Sequence, residues 1–249
     1  MNASVERALR ILALFDETHR ELTLSDIAKA LDTKSGSVYT TVFTLLARNY
    51  LARDPATKRF RLGLELLTRA DQVLSSLDLR TVAKPVLKTL AREMAVNVHL
   101  AVLYEGSVMY LDREEAAPGV VLVSIVGKRV PGNCTALGKV LLAYNRDALE
   151  QMIDRGELAA MTHNSVVSPG ALRKEMEKII RMGYAVDDEE FHEGTLCVAA
   201  PIRDYSGSVI AAVSISLAKS RAKHEGIPAF ARSVLDGAKQ VSDQLGYRE

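Results

Sequence analysis

The sequence has little cysteine. Its two cysteines, Cys134 and Cys197, lie far apart, and neither has a partner at Cys-x-x-Cys spacing. This usage is typical of a reducing compartment, and it argues against both a disulfide framework and a structural zinc site.

Long hydrophobic runs are also missing. The longest weakly polar run, Val209–Ala218, is far shorter than the roughly 20 apolar residues that a membrane span requires. The N-terminus has no signal-peptide pattern. We therefore expect a cytoplasmic protein with no membrane partner.

A strong charge of one sign is absent, since the formal net charge is only +1. The distribution is uneven, however: residues 1–70 contain 11 basic and 8 acidic side chains, and the remainder contains 21 basic and 23 acidic ones. Five of the basic residues lie in residues 48–61 with one acid, Asp54. In isolation such a basic cluster is more often a solvated hairpin than a binding site for a polyanion. The structural context of the cluster therefore decides between these two interpretations.

Signatures of catalysis are missing as well. The sequence shows no Ser/His/Asp order, no zinc signature, no glycine-rich phosphate loop and no nucleotide motif. One enzyme hypothesis stays open, in which Cys197 is a nucleophile and His192 or His99 is its base. A protein that serves only as an interaction module is a further alternative.

The apolar spacing of the first 63 residues predicts a winged helix-turn-helix. Helical patterns cover residues 4–18, with Ser4 as N-cap, then residues 24–31, capped by Thr23, and a third helix with its buried stripe at Val38, Val42 and Leu45. Two strand-like runs, residues 50–53 and 59–62, flank a turn and form the wing. A linker helix is predicted from residue 64 to 79.

Residues 80–249 predict an α+β domain with a mostly antiparallel sheet. Helical patterns reach Met94 and cover residues 135–144, 169–182 and 227–245. A hairpin is expected over residues 96–111, and further strands over residues 120–126, 198–202 and 209–217. The fold class is thus α+β, in two domains joined by a helix.

Five blocks of sequence, in order along the chain, resemble the IclR family of bacterial regulators. They are Ser4-Val5-Glu6-Arg7-Ala8-Leu9-Arg10-Ile11-Leu12, Tyr50-Leu51-Ala52-Arg53-Asp54-Pro55, Arg59-Phe60-Arg61-Leu62-Gly63, Thr135-Ala136-Leu137-Gly138-Lys139 and Gly183-Tyr184-Ala185-Val186-Asp187-Asp188-Glu189-Glu190. The resemblance implies a winged helix-turn-helix, a GAF-like effector-binding domain and a homo-oligomer, either a dimer or a dimer of dimers. It also implies a repressor of a catabolic operon rather than an enzyme, with no cofactor.

The DNA-binding residues expected from this arrangement lie on the third helix and on the wing. A recognition helix presents side chains near its N-terminus to the major groove of operator DNA, and a basic wing contacts phosphates or the minor groove. The candidates are Lys34, Ser35, Ser37, Tyr39, Thr40, Arg53, Lys58, Arg59 and Arg61. Tyr39 has packing as an equal alternative. The helix lacks the Arg of the family's usual Pro-Lys-Ser-Thr-Val-His-Arg-like run.

The resemblance also implies a pocket for a small-molecule effector. Its expected residues are Val130, Ala136, Leu137, Asp187, Cys197, Ser214 and Ser216. Free N–H groups at the start of the helix at residue 135 suit a polar oxygen, and Ser214 and Ser216 share one face of a strand. Purely structural roles are the alternatives: Cys197 as a small buried apolar residue, Ser214 and Ser216 facing solvent, and Asp187 capping a turn. An organic acid, an aromatic compound or an amide-like compound is expected as effector.

Overall fold

A computed structural model describes residues 2–16, 18–76, 78–116 and 125–248 of the chain. Contacts divide the chain into two compact units, residues 1–76 and residues 77–249. In the part that the structure describes, no helix is both long and apolar enough to cross a membrane.

The described residues of the first unit form four helices and a two-stranded wing. The elements are α1 (Ala3–Leu12), α2 (Leu24–Ala30), α3 (Ser35–Ala47), β1 (Leu51–Arg53), β2 (Phe60–Leu62) and α4 (Glu65–Ser76). A capping box fixes the start of α2, because Thr23 and Asp26 each accept the other's backbone N–H. The predicted winged helix-turn-helix is confirmed.

Helix α1 is shorter than the predicted helix over residues 4–18. It begins after Asn2, not Ser4, because the Asn2 side chain accepts the N–H groups of Ser4 and Val5. Beyond its end, Asp16 accepts the backbone N–H groups of Thr18 and His19. Such side-chain turns compete with helical hydrogen bonds. The helix therefore ends before the periodic apolar pattern of the sequence does.

The wing joins the core of this unit through Phe60. The strands pair antiparallel, with Leu51 opposite Leu62 and Arg53 opposite Phe60. Phe60 also exchanges both backbone hydrogen bonds with Leu22. Its ring is almost fully buried among the apolar side chains of α1, α2 and α3. The wing is therefore held against the helix-turn-helix by its own core residue.

The second unit has a six-stranded antiparallel sheet with helices on both faces. Its elements are α5 (Asp78–Met94), β3 (Asn97–Tyr104), β4 (Ser107–Glu114), β5 (Arg129–Val130), α6 (Ala136–Ala143), α7 (Arg146–Asp154), α8 (Pro169–Met182), β6 (Ala185–Asp188), β7 (Thr195–Arg203), β8 (Val209–Ala218), α9 (Lys219–Glu225) and α10 (Ile227–Gln244). The strand order is β5-β4-β3-β8-β7-β6. This confirms the predicted α+β class and the antiparallel sheet.

Several expectations for this unit need correction. The linker helix predicted over residues 64–79 corresponds to α4, which reaches Ser76, and to the start of α5 at Asp78, and residue 77 between them lies outside the described residues. Four elements, α7, α9, β5 and β6, were not predicted, because each is short or lacks a clear period. The strand expected over residues 120–126 falls mainly on residues 117–124, which lie outside the described residues.

Alternation along the central strands separates two cores and positions the site. On β8, Val213 and Ile215 pack with α5 and α10 on one face of the sheet. Ala212 packs on the opposite face, where α6 and α8 lie. Because side chains alternate between faces, Ser214 and Ser216 also point toward α6. Ser214 and Ser216 thus lie under α6.

Candidate functional site

The exposed face of α3 carries the residues that were predicted to meet DNA. Lys34, Ser37, Tyr39 and Thr40 are exposed and Ser35 is half-buried, while Val38 and Val42 are fully buried. No side chain caps α3, whose N-cap is Lys34. Small hydroxyl side chains and free N–H groups at this end suit close approach to a phosphate or a base edge.

An aromatic stack connects α3 to the wing. The ring of Tyr39 stacks on Phe43 at 4.3 Å between centroids, and Phe43 meets Phe60 edge-on at 5.9 Å. The Arg53 guanidinium lies 5.7 Å from the Phe43 ring centre and 5.3 Å from that of Phe60. Its Nε donates to the Lys58 carbonyl at 3.3 Å. Tyr39 therefore has a packing role as well as an exposed edge, and Arg53 braces the wing.

The other basic residues of the wing differ in what holds them. Lys58 Nζ donates to the Pro55 carbonyl at 2.6 Å, and Arg59 Nη1 donates to the Glu21 carbonyl at 3.3 Å. Arg61 is exposed and forms no hydrogen bond or ion pair with the described residues. Arg61 is thus free to bind a phosphate without first breaking an internal contact.

In the second unit, the start of α6 forms one wall of a small cavity. Thr135 caps the helix: its Oγ1 accepts the Gly138 N–H at 3.1 Å and donates to the Pro131 carbonyl at 2.9 Å. Ala136 and Leu137 follow, and their N–H groups bond to nothing in the described part of the chain. Two donors therefore remain available at the positive end of a helix.

Strand pairing brings the predicted polar residues together on the opposite wall. Asp187 lies opposite Cys197, and Cys197 lies opposite Ser216, across β6, β7 and β8. The Cys197 Sγ and Ser216 Oγ atoms are 3.0 Å apart. Ser214 pairs with His99 on β3. Ser214 and Ser216 are both buried rather than solvent-facing.

Six of the seven predicted effector residues line this cavity and one does not. The lining consists of His99, Tyr110, Thr135, Ala136, Leu137, Asp187, Phe191, Cys197, Ser214 and Ser216. Val130 lies instead on β5, where it pairs with Val108 in the apolar core. We hereafter call this space the effector cavity.

Sequence reasoning missed four lining residues, Thr135, Phe191, His99 and Tyr110, of which the last two are ring side chains on the sheet. The rings of His99 and Tyr110 lie 5.5 Å apart, and His99 is buried. Burial, aided by the charge of Arg113, lowers the pKa of His99 to about 4, so this imidazole is neutral at pH 7. Burial raises the pKa of Tyr110, whose phenol stays protonated. The one sequence signal was the polar His99 between the core residues Val98 and Leu100, which alternation places on the cavity face.

Asp187 is the carboxylate of the cavity lining. Its Oδ1 accepts the N–H groups of Glu190 at 2.7 Å and Phe191 at 3.3 Å. Burial, reinforced by the nearby Glu190 carboxylate, raises the pKa of Asp187 to about 7. The buried Lys139 ammonium binds Glu190 and the Val186 carbonyl. Asp187 can therefore either accept or donate a hydrogen bond near neutral pH.

The protonation state of the thiol does not support the Cys197 nucleophile hypothesis, although His99 lines the same cavity. Burial raises the pKa of the Cys197 thiol, which keeps it in the unreactive protonated form. Its hydrogen-bond neighbour is Ser216, whereas His192 is exposed beside the Phe191 ring. The described residues also contain no group of three His, Cys, Asp or Glu side chains that could hold a metal ion.

The effector cavity is nearly closed. Its volume is about 20 Å³, which is enough for roughly one water molecule. Pockets that bind organic ligands typically enclose about 300 Å³ or more. An organic effector therefore requires movement of the cavity walls before it can enter.

Comparisons with known proteins agree with both units. A family model for the IclR helix-turn-helix domain matches residues 4–55, and one for the bacterial transcriptional regulator IclR C-terminal domain matches residues 71–243. The chain is 33% identical over 245 residues to the HTH-type transcriptional regulator XynR of Escherichia coli K12, covering 98% of this chain and 97% of XynR. It is 34% identical over 245 residues to the glycerol operon regulatory protein of Streptomyces coelicolor, covering 98% and 96%.

A solved structure supports the same assignment. The IclR of Thermotoga maritima is similar with a TM-score of 0.76 and 29% identity, covering 98% of this chain and 99% of that one. The relatives are transcriptional regulators and not enzymes. The chain therefore belongs to the IclR family of transcriptional regulators, with a DNA-binding helix-turn-helix and a C-terminal effector domain.

Proposed function

We propose that this regulator represses a catabolic operon and leaves its operator when a small organic effector enters the effector cavity. The DNA contacts come from the exposed face of α3 and from the wing. The signal passes through the linker helix, residues 64–79, between a DNA-binding domain of residues 1–63 and an effector domain of residues 80–249. Such a regulator works in the cytoplasm, where the chromosome is.

The observation that carries the DNA-binding part is the arrangement of α3 and the wing on one folded unit. In this proposal the contacts to the DNA groove come from the residues around the exposed start of α3. These residues are Lys34, Ser35, Ser37, Tyr39 and Thr40. Lys58, Arg59 and Arg61 supply phosphate contacts from the wing, and Arg53 holds the wing in place.

Effector recognition in this proposal uses the polar lining of the effector cavity. The free N–H groups of Ala136 and Leu137 donate to an oxygen of the ligand, and Ser214, Ser216 and Asp187 bind its remaining polar groups. A carboxylate, or the carbonyl of an aromatic or amide-like compound, matches these donors. The cavity lining has no Lys or Arg, so the charge of an acid is met by backbone dipoles.

The proposal includes a homo-oligomer, a dimer or a dimer of dimers, in which two winged units read two half-sites. Apolar side chains of the first unit support it, because Val5 and Leu9 of α1 are more than half exposed. They border a groove of about 570 Å³ along α1 and α3. A second copy of the chain would remove this apolar surface from water.

The catabolic role rests on the family and on a relative whose name states an operon. The Streptomyces coelicolor relative is a glycerol operon regulatory protein. By the same logic, the effector of this chain is a substrate or intermediate of the genes that it controls.

Footprinting tests the proposal. Purified protein is incubated with DNA from upstream of its own gene and of adjacent genes, with and without a panel of small organic acids, aromatic compounds and amides. We expect a protected site that one compound removes. For Ser214→Ala and Asp187→Asn, protection should persist in the presence of that compound. Absence of any protected site would contradict operator binding, and loss of protection by the variants without a compound would indicate a structural role for the cavity.

A further inference from the structure

The second unit has another and much larger concave site, at the opposite end of α6 from the effector cavity. This cleft has a volume of about 440 Å³ and lies where the ends of α8, α10 and β7 meet. Its lining includes Tyr144, Met182, Pro201, Arg203, Leu235 and Tyr247, and we call it the Arg203 cleft. In contrast to the effector cavity, it has room for a small organic molecule without any movement of its walls.

The Arg203 guanidinium lies half-buried beside two aromatic rings. It is 4.7 Å from the ring centre of Tyr144 and 5.8 Å from that of Tyr247. Nη1 donates to the Gly207 carbonyl at 2.8 Å. Within the described part of the chain, Nε and Nη2 donate to no acceptor, and no carboxylate pairs with this side chain. Most of the donor capacity of this cation is therefore unused.

The charges around the cleft favour an anion. Arg181 lines the cleft, is exposed, and has no ion pair among the described residues. Lys239 is engaged by Asp243 at 3.1 Å, and Asp236 is the one carboxylate of the lining. Two unpaired guanidinium groups thus face a single acid.

The chemistry of the lining narrows the ligand class. A guanidinium is a planar fork of donors that matches the two oxygens of a carboxylate, and it stacks favourably on aromatic rings such as those beside Arg203. The apolar side chains of Pro201, Met182 and Leu235 provide a wall for a hydrocarbon body. We propose that the Arg203 cleft is a second ligand site, which binds a small organic carboxylate with a compact apolar body.

Two elements connect this site to the effector cavity. Helix α6 begins at the effector cavity with Ala136 and is followed by Tyr144 in the cleft. Strand β7 carries Cys197 at the cavity and Arg203 at the cleft. The spacing is about 12 Å along the helix and about 20 Å along the strand. A ligand in the cleft therefore contacts the same two elements that form the walls of the effector cavity.

Ligand-observed saturation-transfer NMR with the full-length protein tests this proposal without DNA, so its outcome is separate from that of operator binding. Benzoate is the probe, and benzamide is its neutral isostere. We expect benzoate to bind at least about tenfold more tightly than benzamide. Arg203→Met should abolish the benzoate signal, and Arg181→Met, at an exposed position that the fold does not need, should weaken binding about threefold. Arg232→Met, which removes an exposed arginine of α10 outside the cleft, should change nothing.

Three results would overturn the proposal. The first is equal binding of benzoate and benzamide to the unaltered protein, which requires no variant to fold. The second is benzoate binding that both Arg203→Met and Arg181→Met leave unchanged. The third is benzoate binding that Ser214→Ala removes and Arg203→Met, with an unchanged melting temperature, retains. That result would place the probe in the effector cavity and leave Arg203 as a brace for the turn at Gly207.

Discussion

At the scale of single residues, the basic side chains of the wing fall into two groups. Arg53 packs on the Phe43 and Phe60 rings, and Lys58 binds the Pro55 carbonyl. Arg61 has no comparable contact with the described residues. A contact to DNA phosphate is therefore most available to Arg61, while Arg53 fixes the geometry from which the wing acts.

Salt dependence distinguishes these two roles. Each phosphate contact contributes about 0.9 to the slope of log affinity against log salt concentration. We expect Arg61→Ala to lower the slope for operator DNA by about that amount. Arg53→Met should leave the slope unchanged while weakening binding to the operator, because the wing loses its support. An equal loss of slope in both variants would show that Arg53 also contacts a phosphate.

Asp187 gives the protein a predictable dependence of stability on pH. Its pKa in the folded protein is about 7, against 3.8 for the free group, because burial disfavours the charged carboxylate. The folded state therefore binds the proton more tightly than the unfolded state does. Stability from this source is complete below about pH 4 and is lost as the pH rises toward and through 7.

The matched variant is Asp187→Asn, whose Oδ1 still accepts the N–H groups of Glu190 and Phe191. We expect the free energy of unfolding of the unaltered protein to fall relative to the variant between pH 4 and 8, by at most about 4 kcal/mol. Urea denaturation across this range measures the difference. A constant difference between the two proteins would mean that Asp187 stays ionised throughout.

Sequence reasoning located most of the effector cavity but not its whole lining. A family pattern and strand alternation together predicted four of the lining residues, Asp187, Cys197, Ser214 and Ser216. Tyr110 was not predicted, because β4 reaches the cavity only through its pairing with β3. Val130 was predicted but lies outside the cavity lining, on a short edge strand that packs into the core. Which residues of separate strands meet depends on register, which a single strand does not specify.

At the scale of elements, α6 depends on Gly138. A Cβ atom at this position would lie 2.3 Å from the Gly132 carbonyl oxygen and 2.4 Å from its Cα, so the helix packs directly on that backbone. Backbone cannot move aside as a flexible side chain can. The position of the two free N–H groups at the start of α6 thus depends on this close approach.

Replacement of this glycine should be destabilising. We expect Gly138→Ala to lower the free energy of unfolding by about 1–3 kcal/mol and to distort the effector cavity. The matched control is Gly170→Ala in α8, where an added Cβ meets nothing within 4 Å and alanine favours the helix. Chemical denaturation compares the two variants, and equal stability of both would contradict the packing account.

The presence of a helix or strand was more predictable from the sequence than the residues at which it begins and ends. The caps at Thr23 and Ser168 gave the starts of α2 and α8, because a side chain there bonds to the first turn. The end of α1 was wrong, since the turn at Asp16 competes with an uninterrupted apolar period. β6 was missed because a four-residue strand shows too few alternations to stand out.

At the scale of the whole molecule, the proposed oligomer sets the geometry of the operator. Two helix-turn-helix units related by a two-fold axis reach half-sites about 34 Å apart, one turn of DNA. We expect light scattering of the complex to give two or four chains per operator, and the half-sites to form an inverted repeat. A complex with one chain per operator would contradict the dimer.

Specific binding of DNA by the winged unit is the central claim of the proposed function. The measurement is fluorescence anisotropy of the purified protein with DNA from upstream of its own and adjacent genes, at several salt concentrations and against a scrambled fragment. We expect tight binding to one fragment, weaker binding to the scrambled one, and affinity that falls steeply with salt. Weak binding that does not distinguish the fragments at any salt concentration would contradict it.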